Sequence, residues 1–268
     1  MTHVRTETDA IAIAIALLSW HLTYVDNAGR LSHLHEAGDY GPMPMQLAPD
    51  EPAAGPWRVE SLTDFMSRLR DDSHPLSGRP FIVAIDGRSS GGKTTLTRRL
   101  CAAFPATAVV HTDDIAWAHS RFGWTDLMIN GVLTPVRNGL PVSYRPTAWQ
   151  ANGRAGSVEV PGGCELLIVE GVGAGRRDLS QLLDAVVWVQ ADARDVEQRG
   201  LARIGQPGGS RTLADMQGWM TEEIPFVADQ RTWERADVIV NGTPELAHDP
   251  ATHIVIAPAL PAHESPAD

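Results

Sequence analysis

The sequence predicts an α/β fold: a mostly parallel sheet covered by helices on both faces. Three observations carry this. Apolar, β-branched runs recur at 80–86, 107–112, 164–170, 185–190 and 236–241, with helix-length intervals between them. The stretch between the first run and its helix is rich in glycine, and 43% hydrophobic content over 268 residues supplies one sizeable core with an appendage.

Taken in order, residues 8–23 favour a helix, because alternating Ala and Ile gives weak strand formers at every second position. Residues 38–57 carry many Pro and Gly breakers and read as a connection. Over 61–70, Leu62, Phe65, Met66 and Leu69 form one apolar stripe at helical spacing. Residues 1–78 are therefore expected to be a mostly helical N-terminal extension. The core is expected over 79–257, with "FIVAID" as its first strand and 93–103 as the following helix. "TAVVHTDD", "CELLIVEG", "AVVWVQAD" and "ADVIVNG" follow as strands. "THIVIAPAL" reads as an edge strand or a terminal extension, and 258–268 as a flexible tail.

Charge and cysteine content narrow the function classes. The 22 basic and 33 acidic residues leave a net charge of −11, so nucleic acid and anionic membrane are not expected partners. The apolar stretch 10–20 is too short to span a bilayer and lacks the flanks of a signal peptide, which predicts a cytoplasmic protein. Cys101 and Cys164 have no ligand-type spacing, which argues against structural zinc and a disulfide framework. A homodimer stays open.

The most specific motif is Gly87-Arg88-Ser89-Ser90-Gly91-Gly92-Lys93-Thr94, a full GxxxxGKT (Walker A) pattern between a strand and a helix. Glycines let successive N–H groups turn inward, and the helix start adds free amides and a positive dipole end. Gly87, Ser89, Ser90, Gly91, Gly92, Lys93, Thr94 and Thr95 are the expected nucleotide-binding set, with Lys93 on phosphoryl oxygens and Thr94 on Mg²⁺. Glu170, closing an apolar strand, is the expected second metal residue.

On the acceptor side, "HTDD" places Asp113 and Asp114 at the end of the second strand. A hydroxyl that attacks phosphorus needs a carboxylate to orient it and take its proton. Asp113 is the expected base, with a further place near the metal; Asp114 stays an alternative for the base, and His111 stands beside them. Trp117, Arg121, Trp124, Arg137, Tyr144, Arg145 and Trp149 come from an aromatic and basic insert over 115–160, expected to wall an acceptor pocket. Arg199 and Arg203, four apart on one helix face, are expected in a catalytic lid over 194–215, with glycines 205, 208 and 209 as its hinge. The GVGAGR run at 171–176 reads as a compact turn, with Arg176 or Arg177 toward phosphate.

Jointly, GRSSGGKT, HTDD, IVEG and the arginine-bearing segment after VWVQAD resemble the uridine kinase-like branch of the P-loop nucleoside and nucleotide kinases. That group is itself similar to phosphoribulokinase and pantothenate kinase. The resemblance covers about residues 80–243. It implies a three-layer P-loop fold with a five-stranded parallel sheet in the order 2-3-1-4-5 and ATP and Mg²⁺ as cofactors. It also implies an adenine site near Asn241. The implied activity is phosphoryl transfer to a hydroxyl of a small molecule: a nucleoside, a sugar or a related alcohol. The competing class is a P-loop NTPase switch coupled to a protein partner.

Overall fold

A computed structural model describes residues 45–74, 77–207, 209–210 and 212–260. The helix expected at 8–23, the hinge position at 208 and most of the expected tail lie outside the described residues. Met45 onward forms one compact unit.

Its centre is a seven-stranded mixed sheet. In chain order the elements are β1 (Arg58–Ser61), α1 (Leu62–Ser73), β2 (Phe81–Gly87), α2 (Lys93–Ala103) and β3 (Thr107–His111). They continue with β4 (Val142–Tyr144), β5 (Val158–Val160), β6 (Leu166–Glu170), β7 (Ala185–Gln190), α3 (Ala193–Ala202), α4 (Leu213–Gln230), β8 (Val238–Asn241) and β9 (His253–Pro258). The sheet runs β1-β9-β8-β7-β2-β6-β3, and β4 pairs with β5 in a separate ribbon. Strands β3, β6, β2, β7 and β8 are mutually parallel. β9 and β1 extend the sheet beyond β8, each antiparallel to its inner neighbour. The expected all-parallel sheet is thus part of a larger mixed one, and the architecture is α/β, a central mixed sheet flanked by helices, consistent with a P-loop NTPase-like three-layer arrangement.

Strand periodicity explains both layers. Phe81, Val83 and Ile85 of β2 face one way, with Ile168, Val187 and Val240, and are covered by Leu62, Phe65, Met66 and Leu69 of α1 and Leu96 and Leu100 of α2. Ile82 and Ala84 face the other way, with Val169, Trp188 and Ile239, and meet Trp124, Met128, Val132 and Trp149 of the insert. Because side chains alternate and both faces are buried, these strands read as unbroken apolar runs.

The stretch placed by sequence in an extension contributes to this sheet. Ser61 caps α1 by accepting from the Asp64 N–H at 3.0 Å, and β1 lies along β9. Upstream, the Glu51 carboxylate accepts from Trp188 Nε1 at 2.6 Å and Gln190 Nε2 at 2.9 Å, strapping residues 46–54 across the end of β7. β9, read as an edge or an extension, lies inside the sheet. Among the described residues no helix is long and apolar enough to cross a membrane.

Candidate active site

The glycine-rich loop leaves the sheet at the carboxyl end of β2, the middle one of the five parallel strands. Gly87 sits at φ 146°, and a Cβ there would lie 2.6 Å from the Val189 carbonyl oxygen, so no other residue fits against β7. Ser90 and Gly92 adopt φ of 60° and 109°, which turns the loop into a concave nest of amides. Among the described residues the N–H groups of Ser90, Gly92, Lys93 and Thr94 have no hydrogen-bond partner. The start of α2 leaves its first amides orphaned by geometry, which makes this an anion cradle. Lys93 is buried, and its Nζ donates to the carbonyls of Gly87 at 2.8 Å and Arg88 at 2.9 Å.

Asp86, immediately before the loop, is 1% exposed. Its carboxylate accepts from the N–H groups of Gly87 at 2.7 Å, Gly173 at 2.8 Å and Gly175 at 3.0 Å, and from the Thr232 hydroxyl at 3.1 Å. The GVGAG run is therefore a turn that closes on Asp86. Arg176 does not face phosphate: its guanidinium stacks 3.8 Å from Trp124 and donates to the Phe122 carbonyl at 2.7 Å. Burial lowers its pKa to about 10. Arg177 is exposed and pairs with Asp229 at 2.6 Å.

Register brings the metal candidates together. Glu170 is the partner of Ile85 on one side and of His111 on the other, so three strand ends meet. Thr94 Oγ1 lies 3.4 Å from Glu170 Oε1, and His111 Nδ1 lies 2.7 Å from Glu170 Oε2. Burial would raise the Glu170 pKa, but the His111 hydrogen bond and the Lys93 charge hold it below the usual carboxylate value. The Glu170 hydrogen bond raises His111 in turn, against burial.

Asp113 and Asp114 open the short helix Thr112–Ala116 and diverge. Asp114 pairs with Arg154, whose guanidinium stacks 3.7 Å from the Trp149 ring and 5.2 Å from Trp117. Trp149 Nε1 also donates to the Asp114 carbonyl at 2.8 Å. Among the described residues the Asp113 carboxylate has no hydrogen-bond or ion-pair partner. Asp113 is exposed at the cleft. Nearby protein still thins its water and raises its pKa, with the Lys93 charge opposing and the Glu170 charge adding to the rise.

One cleft of about 560 Å³ gathers Ser89, Ser90, Lys93, Thr94, His111, Asp113, Asp114, Trp117, Arg121, Glu170 and Arg203. Arg199 bridges the loop to the segment after β8, donating to the carbonyls of Ser90 at 3.4 Å and Gly242 at 3.1 Å. Asn241 Oδ1 accepts from the Thr243 N–H at 2.8 Å and shapes that segment. A second concavity, of about 440 Å³, opens at the opposite strand ends beside Arg79, Gly139 and Cys164, away from the glycine-rich loop.

Several expected acceptor residues lie elsewhere. Trp124 and Trp149 are buried in the core beneath the cleft. Arg137 reaches the Leu182 carbonyl at 3.4 Å, at the opposite strand ends, and Tyr144 packs over Gly131. Arg145 is held on the Arg154 carbonyl at 2.8 Å. An aromatic residue in a long insert is as useful for closing the sheet face as for receiving a ligand, and composition does not separate the two. The cleft also contains Trp219 and Glu223 of α4, which the sequence places in a helix, with Trp219 as packing, and not in the site. An acid and an indole four apart on a helix carry no signal until the helix is docked.

No protein-family model matches the chain, and no curated protein is similar to it in sequence. Solved structures are similar to it, among them the following two. A candidate fructose transport system kinase from Silicibacter sp. TM1040 is 18% identical, over 62% of this chain and 93% of that one, with a TM-score of 0.47. A possible uridine kinase from Bacillus stearothermophilus is 17% identical, over 66% of this chain and 98% of that one, with a TM-score of 0.41.

Proposed function

We propose that the protein is a kinase that transfers the terminal phosphoryl group of ATP to a hydroxyl of a small molecule. The observation that carries this reading is that an amide nest and an unpartnered carboxylate, Asp113, line one cleft. A nest alone serves any P-loop protein, whereas an unpaired acid across from it suits an acceptor hydroxyl.

The chain's own groups have distinct tasks. The loop amides bind the phosphates, and Lys93 leaves the Gly87 and Arg88 carbonyls to bind phosphoryl oxygens. Asp113 orients the acceptor hydroxyl and takes its proton. The acceptor oxygen bonds to the terminal phosphorus, the bridging P–O bond breaks, and its electron pair leaves with ADP. Arg199 and Arg203 add positive charge beside the loop, where the transition state spreads negative charge. The segment from Asn241 would border the adenine.

Thr94 and Glu170 present a hydroxyl and a carboxylate 3.4 Å apart beside the nest, a hard oxygen pair that fits Mg²⁺. Among the described residues no group of three or more His, Cys, Asp or Glu side chains is placed to hold a metal, and Mg²⁺ in such sites takes one or two protein ligands with phosphate and water. Bound there, the ion would neutralise phosphate charge.

The test is a screen with Mg²⁺·ATP against nucleosides, sugars, vitamins and aminoalcohols, reading the mass gain of one phosphoryl group. A phosphorylated product whose formation is lost in Asp113→Asn supports the reading. Phosphate release with no phosphorylated product from any acceptor overturns it in favour of an NTPase switch.

A further inference from the structure

One amide of the phosphate loop is already occupied by an anion, and that anion belongs to the protein. The Ser89 N–H donates to Glu223 Oε1 at 2.5 Å. The second carboxylate oxygen of Glu223 accepts from Trp219 Nε1 at 3.0 Å, and the same indole N–H reaches the Ser89 hydroxyl at 2.6 Å. Glu223 is 1% exposed, yet it borders the cleft. A carboxylate buried to this degree costs free energy unless donors compensate it, and here one of the two donors is a loop amide.

The neighbouring loop amides, at Ser90, Gly92, Lys93 and Thr94, have no partner among the described residues. A polyphosphate entering this nest therefore meets a fixed negative charge already bonded to one lip. Like charges brought together in a site of low effective dielectric repel strongly. The contact and full occupation of the nest oppose each other.

The helix carrying Glu223 has a place to yield. Pro225 lies inside α4 and lacks the N–H that would bond back to the carbonyl four residues earlier, so the backbone ladder is interrupted at the turn bearing Glu223. The same helix holds the acceptor-side insert, because Arg121 donates to the Gly218 carbonyl and to Glu222, each at 2.6 Å.

We infer that Glu223 is an internal ligand of the phosphate loop that polyphosphate must displace, so that Glu223 sets nucleotide affinity and ties nucleotide entry to the position of α4. This rests on the proposed phosphate site, and the experiment separates the two.

Tripolyphosphate and ATP, each with and without Mg²⁺, are titrated calorimetrically into the full chain and into Glu223→Gln and Glu223→Ala. Gln keeps the shape and an acceptor for Ser89 while removing the charge; Ala removes both. The expected result is tripolyphosphate and ATP binding at least about tenfold tighter in Glu223→Gln than in the wild type, the reverse of what loss of a ligand-holding residue produces. Glu223→Ala should follow wherever it retains a cooperative melt. Unchanged or weaker binding in a folded Glu223→Gln overturns the inference while leaving the phosphate site standing. Absence of binding in the wild type and both variants removes the phosphate site, and this inference with it.

Discussion

His111 and Glu170 end neighbouring parallel strands as direct register partners, and their side chains meet at 2.7 Å between Nδ1 and Oε2. The pair keeps a carboxylate charged at the sheet edge, beside Thr94 and the phosphate loop. It also ties stability to pH with a defined sign. His111 has a folded pKa above its ordinary 6.5, so its contribution is complete below 6.5 and is lost as pH rises through the raised value. Glu170 has a folded pKa below its ordinary 4.5, so its contribution is complete above 4.5 and is lost as pH falls through the lowered value. The melting-temperature gap between wild type and His111→Asn should be widest between these two ordinary values and narrow as pH rises through the raised His111 value. A gap of constant size from pH 4 to 9 contradicts the pairing.

The two adjacent aspartates should separate in kinetics. Asp113→Asn is expected to lower turnover on an identified acceptor by about 10²–10⁴-fold, the usual span for a general base, with nucleotide affinity retained within about threefold. Because nearby protein thins the water around the exposed Asp113 carboxylate and raises its pKa against the Lys93 charge, turnover should also fall as pH drops through that raised value. Asp114→Asn should instead lower thermal stability, since its partner Arg154 is stacked on Trp149. Equal kinetic losses in the two variants would remove the distinction.

Lys93→Met should act on chemistry more than on folding. Among the described residues its ammonium bonds only loop carbonyls, Gly87 and Arg88. Turnover is expected to fall by about 10²–10³-fold, the scale seen when one preorganised charge-stabilising donor is removed. A comparable turnover with intact ATP binding would show that Lys93 does not reach the transferred group.

At the opposite strand ends, Arg79 and Asp184 make a fork-to-fork pair, with both N–O distances 2.6 Å and the side chains 4% and 8% exposed. Asp184 also accepts from the Ile82 N–H at 2.8 Å. Asp184→Ala leaves a buried guanidinium and a buried amide without this partner. Destabilisation of about 3–5 kcal/mol is expected in urea unfolding. A loss below about 1 kcal/mol would place the pair among weak surface bridges.

How far the site was legible depended on the range of the interactions that build it. The GxxxxGKT run announces its own conformation, because a glycine-rich turn between an apolar strand and a helix start has few alternatives. The position of Glu170 was legible for a related reason, since an acid closing an apolar run must sit where the strand leaves the core, and Asp113 follows two residues after β3 ends, at the start of a short helix. The insert was harder to read. Trp124 and Trp149 have the composition of a ligand wall and the position of a core, and Trp124 is closed in by Arg176 from the turn after β6.

The sequence by itself determined the apolar strands, the glycine-rich loop and the acids near the strand ends, since alternation, glycine freedom and helix-start geometry act within a few residues. Only the tertiary structure decided that β1 and β9 enlarge the sheet, that Asp86 closes the GVGAG turn, and that Glu223 reaches the Ser89 amide. Each of those depends on partners far away in the chain: 134 residues separate Ser89 from Glu223, and 87 separate Asp86 from Gly173. A short polar strand such as Arg58–Ser61 has no pattern of its own, and a carboxylate shows its role only when folding brings a donor to it.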